Sequence, residues 1–228
     1  MCGPLLRAAL WAGAVIAATP PANAGPWLRE EGSVFLSFGQ NLALSDGAQL
    51  PVNVDPHLYA EWGMSERVTL VFAAFSGDAG RETTIEMRGV MALPLPDGSR
   101  DALSATLGAG ARVIDGTEGV EPLLQGGISW GRGLSSGWIM AEALLTYRPR
   151  SGRHEGKVDL TWGHTFTNRW TGYVLATAGE GHTGEFYAKV SPNAVFTLND
   201  HMKLSLGLTQ AVTGDRGTGL AFSSWLEF

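Results

Sequence analysis

Cysteine is almost absent from this chain of 228 residues; the only one is Cys2. Disulfide staples are therefore excluded, and the fold must be held by packing and backbone pairing. No run of 18 or more consecutive apolar residues occurs, so a membrane-spanning helix is excluded as well. Basic residues are outnumbered, with 16 Lys and Arg against 22 Asp and Glu for a formal net charge of -6, which argues against nucleic acid as a partner. After the first two dozen residues, no segment shows the helical spacing of apolar positions.

Those first residues form a separate unit. Residues 1–24 carry Arg7, then an apolar run from Ala8 to Ala18, then "TPPANA", in which Ala22 and Ala24 set small residues before Gly25. This is the layout of a cleavable secretory signal, too short to span a bilayer and broken by Pro20 and Pro21. Cys2 precedes the apolar run, which is the wrong order for a lipoprotein signal. Cleavage would remove Arg7 and the only cysteine, taking the net charge from -6 to about -7 and leaving residues 25–228 as one domain exported to the periplasm or beyond.

What the remaining chain has in abundance is alternation. "KLSLGLTQAV" sets Leu204, Leu206, Leu208 and Val212 against Lys203, Ser205, Gly207 and Thr209. "KVDLTW" sets Val158, Leu160 and Trp162 against Lys157, Asp159 and Thr161, and "EFYAKVSPNAVF" sets Phe186, Ala188, Val190, Ala194 and Phe196 against Glu185, Tyr187, Lys189, Ser191 and Asn193. Period two marks β-strands with two unlike faces. Carried along the chain, it predicts about twelve strands, near 32–42, 57–65, 67–76, 83–94, 103–114, 120–131, 137–148, 155–166, 170–179, 184–198, 202–213 and 218–228. Pro192, which cannot donate to a ladder, is the anomaly inside the tenth.

Two all-β architectures accept such a run: a sandwich whose apolar faces meet, or an up-and-down antiparallel transmembrane barrel whose apolar face meets lipid. Giving each strand its apolar face puts Glu61, Glu86, Arg88, Arg112, Glu121, Glu142, Lys157, Asp159, Glu185, Lys189 and Lys203 on the other one. Hydrocarbon demands such segregation, since a Lys or Arg near the midplane costs about 2–4 kcal/mol. The links between strands favour the barrel. Every second one is compact ("MSER", "PDGSR", "GRGLSSG", "TNR", "ND"), and the alternate ones include the longest, from Asn41 to Asp55. Trp27, Trp62, Trp130, Trp138, Trp162, Trp170 and Trp225 all fall beside the compact turns, where an aromatic belt at one membrane interface is expected.

The chain ends "GLAFSSWLEF", with Leu220, Phe222, Leu226 and the terminal Phe228 on one phase and Ser224 departing from it. With the signal segment, the alternating strands and the lack of cysteine beyond it, this resembles the outer-membrane β-barrel proteins of Gram-negative bacteria. "GPWLREEGSVFLSFGQ" is similar to the start of small proteobacterial barrels of the transporter type. The resemblance implies an outer-membrane location, a lipid environment, and a last strand, Leu220, Phe222, Leu226 and Phe228, that is read by the barrel-assembly machinery. It implies a class and an assembly route, not an activity.

For activity, three readings follow. Outer-membrane phospholipase A carries a lipid-facing His, a Ser two residues later and an Asn further on; here "GHTFTN" gives His164 and Asn168, but Phe166 stands where the nucleophile is needed. His154 and His182 are lone histidines near loops, so no catalytic constellation is complete and an enzyme is not expected. The five histidines, at 57, 154, 164, 182 and 201, lack ligand spacing, so neither metal nor cofactor is expected. The reading favoured is a narrow pore or transporter for small solutes, because about twelve strands lie between side-chain-filled eight-stranded barrels and open porins. Its interior would be lined by five cations and six anions of the polar face named above. The alternative is an occluded structural or interaction barrel, since charges in a low-dielectric interior tend to pair.

Overall fold

The structure, a computed structural model, describes residues 25–44, 53–77, 80–116, 119–181, 184–214 and 218–228, so the signal expected at 1–24 lies outside it. Alternating faces become twelve strands: β1 (Val34–Leu44), β2 (Asn53–Ser65), β3 (Val68–Gly77), β4 (Glu82–Ala92), β5 (Asp101–Ile114), β6 (Glu121–Leu134), β7 (Gly137–Arg148), β8 (Arg153–Thr165), β9 (Trp170–Glu180), β10 (Phe186–Asn199), β11 (Met202–Thr213) and β12 (Thr218–Glu227). Each pairs antiparallel with its sequence neighbours, and β1 pairs with β12, so the sheet closes into an up-and-down barrel. Closure matters physically because it removes the unpaired edge that hydrocarbon does not tolerate.

The register assigns the faces, because residues opposite one another share a side. Leu36 faces Leu226 and Leu42 faces Leu220 on the outside, while Phe35 faces Glu227 and Ser37 faces Trp225 on the inside. Outward positions are apolar and bare to the surroundings: Leu107 is 63% exposed, Leu206 59% and Leu160 53%. Inward neighbours are covered, with Thr84 and Ser104 at 0% and Leu123 at 1%. A protein with its large apolar side chains outside and its serines and threonines inside is inverted relative to a soluble domain, and the sandwich alternative is excluded.

One end, called here the turn end, carries the short links 66–67, 93–100, 135–136, 166–169 and 200–201 together with the start of β1 and the end of β12. At the other, the loop end, β1 extends to Leu44 and β2 begins at Asn53, so the expected link of 41–55 shortens to 45–52, outside the described residues. Pro192 fits because it faces Val174 in the β9 ladder, and the β10–β11 ladder resumes at Asn193 opposite Gly207.

The aromatic belt is only partly as expected. Trp62, Trp162 and Trp170 are outside, about half exposed, and Trp130 shares their face. Trp138 is 8% exposed on the inner face opposite Gly163, and Trp225 and Trp27 also lie within the barrel. All seven sit at the turn end, as the strand map required. Three belong to the other face, because Trp138 and Trp225 follow the polar phase of their strands.

Candidate functional site in the barrel interior

Charges on the inner face organise around the wall in two places. Near the loop end, successive strands β4 to β8 present Glu82, Arg112, Glu121, Arg148 and Glu155, one residue each and alternating in sign. Arg112 Nε lies 3.1 Å from Glu82 and its Nη1 lies 2.8 Å from Glu155, while Arg148 Nη1 reaches Glu155 at 3.0 Å and its Nη2 lies 3.6 Å from Glu121. Arg112 Nε also donates to the Thr84 hydroxyl at 3.2 Å. Both arginines are under a tenth exposed, so each would be costly without its partners. Glu121 Oε1 accepts the backbone N–H groups of Arg150 and Ser151, tying the β7–β8 hairpin to this belt.

Further along β8, Lys157 Nζ lies 2.8 Å from Asp159, whose other oxygen accepts from Thr177 at 2.6 Å. Glu86 accepts from the Gln125 amide at 2.9 Å and Glu142 accepts from the Ser129 hydroxyl at 3.3 Å. Arg88 lies opposite Val71 and Gly108, and its Nε has no hydrogen-bond partner among the described residues. Lys189 stands over the Tyr187 ring at 5.5 Å, and Lys203 pairs with Glu227 at 3.2 Å. Glu185 departs from expectation: it precedes β10 and is exposed at the loop end, because the strand begins one residue later at Phe186.

At the turn end a segment of the chain lies inside the barrel wall. Glu61, 3% exposed, accepts from the Tyr59 hydroxyl at 2.6 Å and pairs with Arg29. Arg29 lies in the segment that precedes β1. Its backbone N–H donates to Thr69 Oγ1 at 2.9 Å, its guanidinium covers the Phe35 ring at 4.5 Å, and Nη1 lies 3.8 Å from Glu227. The same segment continues across the mouth: Pro26 and Trp27 lie against Gly131 on β6, and Gly25 against the Met140 thioether on β7. In a ring of twelve, β7 is diametrically opposite β1. Beneath the segment, Phe35 packs edge-on against Tyr59 and Trp225, and Trp225 stacks on Tyr173 at 6.3 Å, which joins β9, β12, β1 and β2 through aromatic rings.

Arg29, Glu82, Arg148, Glu155 and Glu227 were not among the expected interior residues. Parity could have found Arg148, six residues and so three periods of the alternation beyond Glu142, and Glu155, two residues before Lys157. Nothing periodic marks Arg29.

The outer histidines do not assemble a catalytic group. His164 lies between Trp162 and Phe166, and its Nδ1 stands 3.4 Å from the Ser136 hydroxyl of the neighbouring hairpin. No carboxylate hydrogen-bonded to that imidazole is found among the described residues, so the third member needed to orient it is missing there. His154 stacks on Tyr147 at 4.9 Å. His182 lies outside the described residues.

No protein-family model and no curated protein matches the chain. Solved structures do match. The KdgM porin superposes with a TM-score of 0.63 at 7% identity, over 85% of this chain and 99% of that one. The COG4313 outer membrane channel from Pseudomonas putida F1 gives 0.61 at 11% identity, over 92% and 100%, and the NanC porin gives 0.61 at 7%, over 84% and 98%. At such identities the likeness is one of fold: this chain has the architecture of the small outer-membrane barrels, closed by twelve strands.

Proposed function

We propose that the chain is a channel of the Gram-negative outer membrane that passes small polar solutes through a narrow interior lined by charges of both signs. The observation that carries this reading is the collection of ionised side chains, from Glu82 round to Glu155 and on to Lys157 and Asp159, on the inner face of a closed barrel whose outer face is apolar. A barrel that only needed to be stable could fill its interior with apolar side chains, since ion pairs in a dry interior are no better than well-packed hydrophobes. Pairing leaves little net field, so transport would discriminate weakly between anions and cations. One of the similar structures holds the KdgM porin in complex with disordered oligogalacturonate, a polyanion; an interior of alternating sign suits small neutral or zwitterionic solutes better.

The chain would act without enzymatic chemistry. It would reach the membrane through the periplasm, its segment 1–24 removed, and the barrel-assembly machinery would recognise Leu220, Phe222, Leu226 and Phe228 on the outer face of the last strand. A second reading, an occluded interaction barrel, is favoured by the aromatic layer and the segment that crosses the turn-end mouth. Planar-bilayer recordings on refolded protein separate the two. Discrete small conductance supports the channel, and no current over a wide voltage range eliminates it.

A further inference from the structure

We propose that the segment Gly25–Glu31 is the constriction of this pore, a strap held across the turn-end mouth, with Arg29 as its anchor and Trp27 as the group that narrows the passage. The inference rests on the channel reading above and goes beyond it by assigning the residues that limit flow.

The anchor is built from four contacts around one side chain and its amide. Arg29 pairs with Glu61 and approaches Glu227 at 3.8 Å, so it links β2 with β12; it covers Phe35 on β1, and its N–H bonds Thr69 on β3. Four adjacent strands thus hold one point of the segment. Glu61 is 3% exposed and would be an expensive isolated carboxylate without the guanidinium. Gly32 and Gly63 extend the ladder beyond β1, with Gly32 N donating to Gly63 O at 2.8 Å and Gly63 N to Ser33 O at 3.0 Å. A side chain at Gly63 would run into the Glu30 carbonyl, so that glycine lets the chain turn inward over the rim.

The far end meets a matching gap. Pro26 is buried, and Trp27 lies where the side chain of residue 131 would be, so glycine there leaves the space that the indole fills. The strap therefore contacts β1, β2, β3 and β12 at one end and β6 and β7 at the other, which spans the ring. Arg29 and Trp27 are held by different contacts, an ion pair and a shape fit, so they can be altered separately.

The experiment compares single-channel conductance in planar bilayers for the full-length protein, a deletion of residues 26–31, and Trp27→Ala, each checked for folding by heat-modifiable gel mobility. Trp27→Ala keeps the Arg29 anchor and so covers the case in which the deletion does not fold. Conductance several-fold higher in the deletion, and raised to a smaller extent in Trp27→Ala, supports the strap. Unchanged conductance in folded variants overturns it while leaving the channel reading intact. Absence of current in every form overturns both, because the passage is then closed elsewhere.

Discussion

The Gln125 amide nitrogen on β6 donates to Glu86 Oε1 on β4 at 2.9 Å, although β5 runs between them. The reach is possible because the β5 residues on that face, Gly108 and Gly110, have no side chains to obstruct it. A Cβ on Gly108 would stand 2.5 Å from Arg88 Cγ, and one on Gly110 would stand 2.5 Å from the Ile85 carbonyl oxygen and 3.2 Å from Glu86 Cγ. Substituting Gly110→Leu is expected to cost about 1–3 kcal/mol through overpacking. Urea unfolding in lipid vesicles, followed by tryptophan fluorescence, should show the lowered midpoint; an unshifted midpoint would mean that β5 yields and the close approach is unimportant.

Breaking the alternating belt should be costly, because its two arginines are buried. Arg112→Met leaves Glu82 without its 3.1 Å partner and removes one of the two arginines that hold Glu155. The expected loss is about 3 kcal/mol, as for other buried pairs stripped of one member. Adding Glu82→Gln should recover part of that loss. Equal stabilities for the single and double variants in the same unfolding assay would show that the two side chains are not coupled.

On the outer face the arithmetic is set by lipid. Leu107 sits near the middle of β5 and is 63% exposed. Leu107→Arg should cost about 2–4 kcal/mol on refolding into vesicles. A cost near zero would place that face in water and contradict a membrane-spanning barrel.

Much of this was legible in the residues themselves. Alternation located all twelve strands to within a few residues, because a sheet with one face in lipid cannot shift register by one residue without turning every charge outward. What it missed had physical reasons. Arg148 and Glu155 stand at the outermost ends of the strands expected over 137–148 and 155–166, where the polar stretch "RPRSGRHEG" has no apolar partners to mark a face, yet the strands rise past the apolar band and carry the inward phase with them. Trp138 and Trp225 were assigned by amino-acid type to the interface, although their parity with Glu142 and Glu227 already pointed inward. The strap had no periodic signal, since its position depends on contacts with six strands rather than on its own pattern.

Ion selectivity tests the interior directly. Arg88 is a cation with its Nε unsatisfied among the described residues. Arg88→Glu should shift the reversal potential in a salt gradient toward cations, and an unaltered reversal potential would remove Arg88 from the conducting path.

The last residue offers a test of assembly. Phe228 is 70% exposed, yet its N–H donates to the Val34 carbonyl at 2.9 Å and its carbonyl accepts from Val34 N–H at 3.0 Å. Ending the chain at Glu227 should therefore lower the amount of protein in the outer membrane more than it lowers conductance per molecule inserted. Normal levels in membrane fractions would show that Phe228 is dispensable for insertion.

Arg29 also imposes a chronology. Its two acidic neighbours, Glu61 and Glu227, belong to the strands on either side of β1, and Glu227 is the penultimate residue of the chain. Joining β1 to β12 requires the longest loop closure in the molecule, a slow event for any chain. Until it happens, half of the carboxylate cradle for Arg29 is absent and the opposite wall is not yet opposite. The strap can make all its contacts only once the seam has closed, so the first residues of the domain to be synthesised depend on the last for their full set of contacts.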